Sequence, residues 1–259
     1  MWFHPGMAAA DLKAIVNHCD RELRVEAIAD SPGAHNGLQV ENSGKVRAIA
    51  AAVDASLATV QKSAMGGASL MVVHHGLFWT AKHPWIGPRR KLIQTLVEHD
   101  MAVYSAHLPL DLHPRLGNNA LLCKALKFTR PRPFFEEHGT PIGLRVSTRL
   151  CRDILAARLK TILGVPPVLL RGGPSVCKKI GIVTGGAGGS VEKAAKEGVD
   201  TFITGEGPHW TGALAEELGI NIYYGGHYAT ETFGVKALAK HLSRKFRVPW
   251  EFVDHPTGL

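Results

Sequence analysis

Leu70-Met-Val-Val-His-His-Gly-Leu-Phe-Trp79 starts as one kind of structure and ends as another. The unbroken apolar run Leu70–Val73 reads as a strand buried on both faces, as the central strands of a parallel sheet are. Two adjacent imidazoles follow, His74 and His75. Neighbours on a regular strand point to opposite faces, so both rings serve one point only where the strand ends and the chain turns. The stretch therefore predicts an α/β protein whose chemistry gathers at a strand's carboxyl end.

The flanking sequence repeats this theme. A helix is expected from Ala8 to about Leu23, then the turn-rich Ser31-Pro-Gly33, a loop at His35-Asn-Gly-Leu-Gln39 and a strand from Val46 to Val53. Ser56 can cap a helix running to about Met65. Beyond the opening stretch come a helix from Arg90 to His99, a strand Ala102–Ser105 and a helix from about Asn118 to Lys127. Thr129-Arg-Pro-Arg-Pro133 reads as a stiff, exposed connector, which puts a boundary near residue 130. Past it, strands are expected at Ile142–Val146, Lys179–Val183, Thr201–Thr204 and Asn221–Tyr224. Helices are expected at Leu150–Leu163 and Val191–Glu197, then one ending at Leu218 and one ending near Lys245. Strands alternating with helices predict two α/β subdomains with mixed or mostly parallel sheets, 1–130 and 131–259.

The two halves match in register. Val53-Asp-Ala-Ser56 leads through a helix to His74, 21 residues on, and Val183-Thr-Gly-Gly186 leads to Gly205, 22 residues on. Each half then offers a strand ending in a histidine with a carboxylate four residues later: His107 with Asp111, and His227 with Glu231. Two matches in register suggest related halves facing each other across a cleft, with the site in it.

Composition narrows the chemistry. The chain has 259 residues, 45% hydrophobic and 20% charged, which suits a globular protein of one large or two ordinary domains. No apolar run approaches a membrane span, and the start lacks a secretory signal's pattern, with Met7 an alternative start. Cys19, Cys123, Cys151 and Cys177 are scattered, form no CxxC pair and fit a reducing cytoplasm. The net charge of +8 admits an anionic partner, nucleic acid included, but Pro88–Lys91 and Ser243–Arg247 read as solvated helix faces.

Ligands of open α/β sheets collect at strand carboxyl ends, where His74, His75, His107, Asp111, His227 and Glu231 fall. His227 and Glu231 share a helix face at i, i+4. Imidazole with carboxylate and no thiolate suits zinc, manganese, iron, cobalt or nickel. Four imidazoles and two carboxylates exceed what one tetrahedral zinc needs and suit a pair of ions, as in two-metal hydrolytic sites. The histidines 4, 18, 83, 99, 113, 138, 241 and 255 read as surface or hydrogen-bonded core residues. Glu206 reads as a general base, a group behind the ligands or a helix-start carboxylate, and His209 as a surface residue. Gly185-Gly-Ala-Gly-Gly-Ser190 is a phosphate cradle or a tight turn. Phe78 and Trp79 either stack on a base or pack, and Asn36 either orders the site or supports the turn at Gly37.

Asn36-Gly-Leu-Gln-Val40, Val73-His-His-Gly-Leu-Phe-Trp79, Ala106-His-Leu-Pro-Leu-Asp111, Ile203-Thr-Gly-Glu206 and Gly226-His-Tyr-Ala-Thr-Glu231 together resemble the NIF-three-like family, over about residues 10–254. Its members also carry the label type-two GTP cyclohydrolase homologue. The resemblance implies two α/β subdomains, a toroidal hexamer, and two divalent ions per chain (zinc, manganese or iron). It implies His74, His75, Asp111, His227 and Glu231 as ligands, with Glu231 bridging. His107 matches a family histidine beside the metals and, with Glu206, is the candidate for catalysis. Tyr228 stands where some members have a further histidine, and the large insertion some carry between the halves is absent. The expected activity is metal-dependent hydrolysis of a nucleotide or related small molecule in the cytoplasm. The alternative is a metal-bound ring scaffold that binds nucleic acid or a protein.

Overall fold

The structure is a computed structural model that describes residues 9–79, 84–137 and 139–259. The readings of His4, His83, His138, Met7 and the helix start at Ala8 lie outside the described residues. The chain divides into two compact units, Met1–Leu110 with Gly234–His255, and Asp111–Phe233 with Pro256–Leu259.

In the first unit Ala10–Asp11 (β1) precedes Leu12–Leu23 (α1). The helix starts at Leu12 because Asp11 caps it, its Oδ1 accepting the Ala14 N–H at 2.9 Å, while β1 pairs with Lys45–Val46. Gly37–Val40 (β2), Lys45–Val46 (β3), Ile49–Asp54 (β4), Leu57–Gly66 (α2), Leu70–His75 (β5), Pro88–Glu98 (α3) and Ala102–Ser105 (β6) follow. β4, β5 and β6 are parallel neighbours, and β2 lies antiparallel on β6. The segment around Gly37 read as a loop is therefore an edge strand, too short and too glycine-marked (φ +103° at Gly37) to announce itself. Ile49–Val53 and Leu70–Val73 are buried, as continuous apolar strands covered on both faces must be.

The short helix Leu108–Asp111 (α4) falls at the division between the units. The second unit continues with Asn118–Ala125 (α5), Arg132–Glu137 (β7), Thr140–Cys151 (β8), Arg152–Leu163 (α6) and Val168–Arg171 (β9). Val176–Ile182 (β10), Val191–Lys196 (α7), Thr201–Thr204 (β11), Thr211–Leu218 (α8) and Asn221–Tyr224 (β12) complete it. The sheet order is β7-β8-β10-β11-β12-β9, with β10, β11 and β12 parallel and the rest antiparallel. The proline-rich connector runs straight into β7, an edge strand, where Pro133 withholds no ladder hydrogen bond that matters. The strand expected at Ile142–Val146 extends to Cys151, which delays α6 to Arg152.

His227–Phe246 (α9) and Trp250–Phe252 (β13) end the chain. β13 pairs in parallel with β4, so the last strand returns to the first unit's sheet. This long-range pairing, with the division at Leu110, replaces the expected break at residue 130; local patterning carries no signal of which distant strand an edge will recruit. Both units share a centre of three adjacent parallel strands joined by helices, which is the internal match seen in the sequence.

Candidate metal centre

In the first unit the strand order brings three strand ends together. Asp54 ends β4 and is the register partner of His75, which ends β5, while His107 follows β6. The rings of His74 and His75 lie 4.9 Å apart between centroids, as do those of His74 and His107. A ligating atom from each of the three imidazoles lies within 4.8 Å of the other two.

Each ring is oriented by an acceptor on its outer nitrogen. His74 Nδ1 donates to the Ala106 carbonyl at 2.8 Å, His75 Nδ1 to Asp54 Oδ1 at 2.8 Å, and His107 Nδ1 to Asp30 Oδ1 at 2.7 Å. A carbonyl or carboxylate accepts only, so a proton sits on Nδ1, and in the neutral ring this leaves the lone pair on Nε2, the tautomer a metal requires. Asp30 is itself anchored. It takes the Ser31 N–H at 2.6 Å, the Leu108 N–H at 3.0 Å and the Asn36 amide at 2.7 Å. Burial raises its pKa, but the hydrogen bonds from His107, Asn36 and Ser31 outweigh burial and hold it at about 2. Asn36 Oδ1 also accepts the His107 N–H at 2.7 Å, so Asn36 orders the site rather than merely supporting a turn.

In the second unit the same positions recur one strand at a time. Gly185 follows β10, Glu206 follows β11 and His227 follows β12. His227 Nδ1 bonds Glu206 Oε1 at 2.7 Å, and its Nε2 lies 3.1 Å from Glu231 Oε2, one helical turn on. Burial pulls the His227 pKa down, yet Glu231 and Glu206 push it up to about 9. Two carboxylates around one ring make a place built for positive charge, and Glu231 is only 2% exposed. Asp111 is buried in this unit and its Oδ1 accepts the Asn118 amide at 2.7 Å.

The structure thus assembles His74, His75 and His107 in one unit and His227, Glu206 and Glu231 in the other. Glu206 sits behind His227, holding its outer nitrogen. Asp30 and Asp54 were missed by the sequence reading. Their signals were present: Asp54 ends a strand whose neighbour ends in His75, and Asp30 lies in the turn before Asn36. The glycine loop is a packing device and not a phosphate cradle, because the amides of Gly185, Ala187 and Gly188 donate to Thr230 Oγ1, Thr204 Oγ1 and the Glu206 carbonyl. Trp79 packs edge-on against His107 and His75, centroids 4.7 and 5.7 Å away, and Phe78 against Trp85. His209 is exposed, as read. His113 is buried, its Nδ1 accepting the Arg115 and Leu116 amides.

Removing Asp30 tests the support of His107. Asp30→Ala is expected to cost about 1–3 kcal/mol of stability, because the donors it leaves are partly buried. Urea denaturation of the protein without added metal checks this; an unchanged midpoint contradicts the assigned role.

Comparison with known proteins gives a consistent family. The description Duf34/NIF3 (NGG1p interacting factor 3) matches residues 10–257. A Deinococcus radiodurans protein named GTP cyclohydrolase 1 type 2 homolog is 40% identical over 241 residues, covering 92% of this chain and 90% of its own. A Pyrococcus horikoshii protein of the same name is 39% identical over 258 residues, 96% of this chain and 100% of its own. The crystal structure of TTHA1606 from Thermus thermophilus superposes with a TM-score of 0.88 at 37% identity, covering 96% of this chain and all of that one. Among the described residues no helix is long and apolar enough to cross a membrane.

Proposed function

This chain belongs to the Duf34/NIF3 family, and from that premise we propose that it binds two divalent cations and uses them to hydrolyse a nucleotide or related small molecule. The observation that carries the reading is the uniform set of the four imidazoles. Each has its outer nitrogen bonded to a protein acceptor, at 2.7–2.8 Å in all four cases. Metal-ligating histidines almost always donate their outer nitrogen in this way, and His107, held alike, stands beside the proposed ligands.

The donors fit zinc, manganese or iron(II), being imidazole and carboxylate with no sulfur. His74, His75, Asp111, His227 and Glu231 are the residues that would hold the ions, and Glu231 would be the ligand common to both. When bound, such a pair supplies Lewis acidity and a nucleophile available at neutral pH. The chain's own residues do the rest. Asp54 and the Ala106 carbonyl keep His75 and His74 in one tautomer. Asp30 and Asn36 hold His107, whose role in this reading is to move a proton to or from substrate. Glu206 fixes His227 and keeps negative charge beside it. Trp79, 37% exposed over two imidazoles, gives the first unit's site an apolar wall.

The names of the relatives suggest GTP as the substrate, with opening of the guanine ring as the reaction. A nucleotide screen with Mn²⁺, Fe²⁺ or Zn²⁺ at full loading tests this; turnover is expected for at least one nucleotide, and none under any metal contradicts the enzymatic reading. The proposal also takes the chain as one subunit of a toroidal hexamer. Light scattering on the eluting peak is expected to give six times 27.9 kDa, and a monomeric mass contradicts it.

A further inference from the structure

The second unit carries a basic cavity that the proposed metal chemistry does not use. It measures about 790 Å³ and is lined by Arg130, Arg132, Arg145 and Lys179, with Thr129 and Ser147 among the remaining walls and, among the described residues, no acidic one. Its charge follows from strand register. Arg132 on β7 stands directly opposite Arg145 on β8, and Lys179 on β10 is paired with Ser147, two residues along β8 from Arg145. Residues two apart on a strand share a face, so the three cations rise from one face of three adjacent strands. Arg130 sits just before β7 with φ +54°, a left-handed conformation unfavourable for a side-chain-bearing residue.

Among the described residues none of the four cations forms a salt bridge. Two carboxylates placed nearby in sequence are committed to the backbone. Glu197 accepts the Phe135 N–H at 2.9 Å, and Asp200 accepts the Lys178 and Lys179 N–H groups, each at 3.0 Å through Oδ2. Arg145 spends one donor on the Glu197 carbonyl at 3.2 Å, which fixes its guanidinium. Like charges directly opposed across two strands are destabilising, and a sheet that keeps such a pair without a carboxylate is arranged for an external anion.

We propose that this cavity binds an oligophosphate group: two or more linked phosphates, as at the end of a nucleoside triphosphate. Four cations exceed what a single phosphate neutralises, and guanidinium groups engage phosphate oxygens in pairs. No aromatic side chain lines the cavity, so it reads phosphates and not bases. The stretch Thr129-Arg-Pro-Arg-Pro133, which reads in the sequence as an exposed connector, supplies two of the four cations.

The probe is inorganic tripolyphosphate, titrated calorimetrically into the metal-loaded protein at about 50 mM salt. Saturable binding is expected, weakening as salt rises. Arg132→Gln and Arg145→Gln are each expected to weaken it roughly 10- to 100-fold, the range of a charge-assisted contact, while metal content per chain stays that of the wild type. Lys13→Gln, which removes the same charge from α1, is expected to leave binding unchanged. Arg132→Gln is also expected to raise the melting temperature without ligand, because it relieves the opposed pair; loss of binding with a gain of stability separates a ligand site from a structural role. No saturable binding by the wild type overturns the proposal. So does wild-type affinity in both arginine variants, or capture of a thymidylate oligomer that tripolyphosphate does not displace, which assigns the cavity to nucleic acid.

Discussion

Glu231→Gln protein, reconstituted with Mn²⁺, Fe²⁺ or Zn²⁺, is expected to lose both ions on gel filtration and to remain folded. The side chain is 2% exposed, one turn into α9, with its Oε2 3.1 Å from His227 Nε2. Glutamine keeps the shape but removes the negative charge and replaces one ligand oxygen with an NH₂ that cannot ligate. Losses behind the ligands already cost roughly 10–100-fold in affinity, so loss of a proposed ligand that both ions would share should cost about 100-fold or more at both. His74→Ala and His75→Ala should each deplete one ion preferentially. The fold should survive because the clusters that pack Ile222 and Tyr223 are built of apolar side chains. Elemental analysis with a thermal melt of the same sample checks both halves of the expectation.

Gly185→Ala should reach the same result from the other side. Gly185 has φ +77°, and a Cβ built there overlaps Glu231 Oε1. Its backbone cannot yield, because the amide donates to Thr230 Oγ1 at 3.1 Å and the carbonyl accepts from Gly205 N at 2.8 Å and Thr204 Oγ1 at 3.0 Å. The methyl must therefore displace the carboxylate. A left-handed alanine costs about 1 kcal/mol against glycine. With the steric term, about 2–3 kcal/mol of stability and on the order of 100-fold in metal affinity are expected to go. The adjacent Gly186 is the control. Its φ is −92°, and a Cβ there meets nothing closer than His227 Cε1 at 3.6 Å, an ordinary contact. Gly186→Ala should be nearly silent, and equal effects at the two glycines contradict the packing assigned to Gly185.

How much of this was legible in the sequence depends on the range of the interaction involved. β5 and its two histidines could be read because a doubly buried strand is a local pattern and a strand end is where it stops. β11 and β12 fell at their expected bounds for the same reason. The imidazoles and carboxylates that gather in each unit were legible as residue types at matched spacings in the two halves. The acceptors behind them were less so: Asp54, Asp30 and the Ala106 carbonyl become partners of His75, His107 and His74 only after β4, β5 and β6 lie side by side. β2, β9 and β13 went unread because edge strands of three or four residues take their conformation from the neighbour they pair with. The division at Leu110 belongs with them, since it rests on β13 pairing with β4 across most of the chain's length.

Metal content per chain decides whether this protein holds the proposed pair of ions. Protein reconstituted with Mn²⁺, Fe²⁺ or Zn²⁺, passed through gel filtration and measured by elemental analysis against protein concentration, is expected to carry two ions per chain. One ion or none, or a Glu231→Gln variant that still carries two, contradicts the proposed pair.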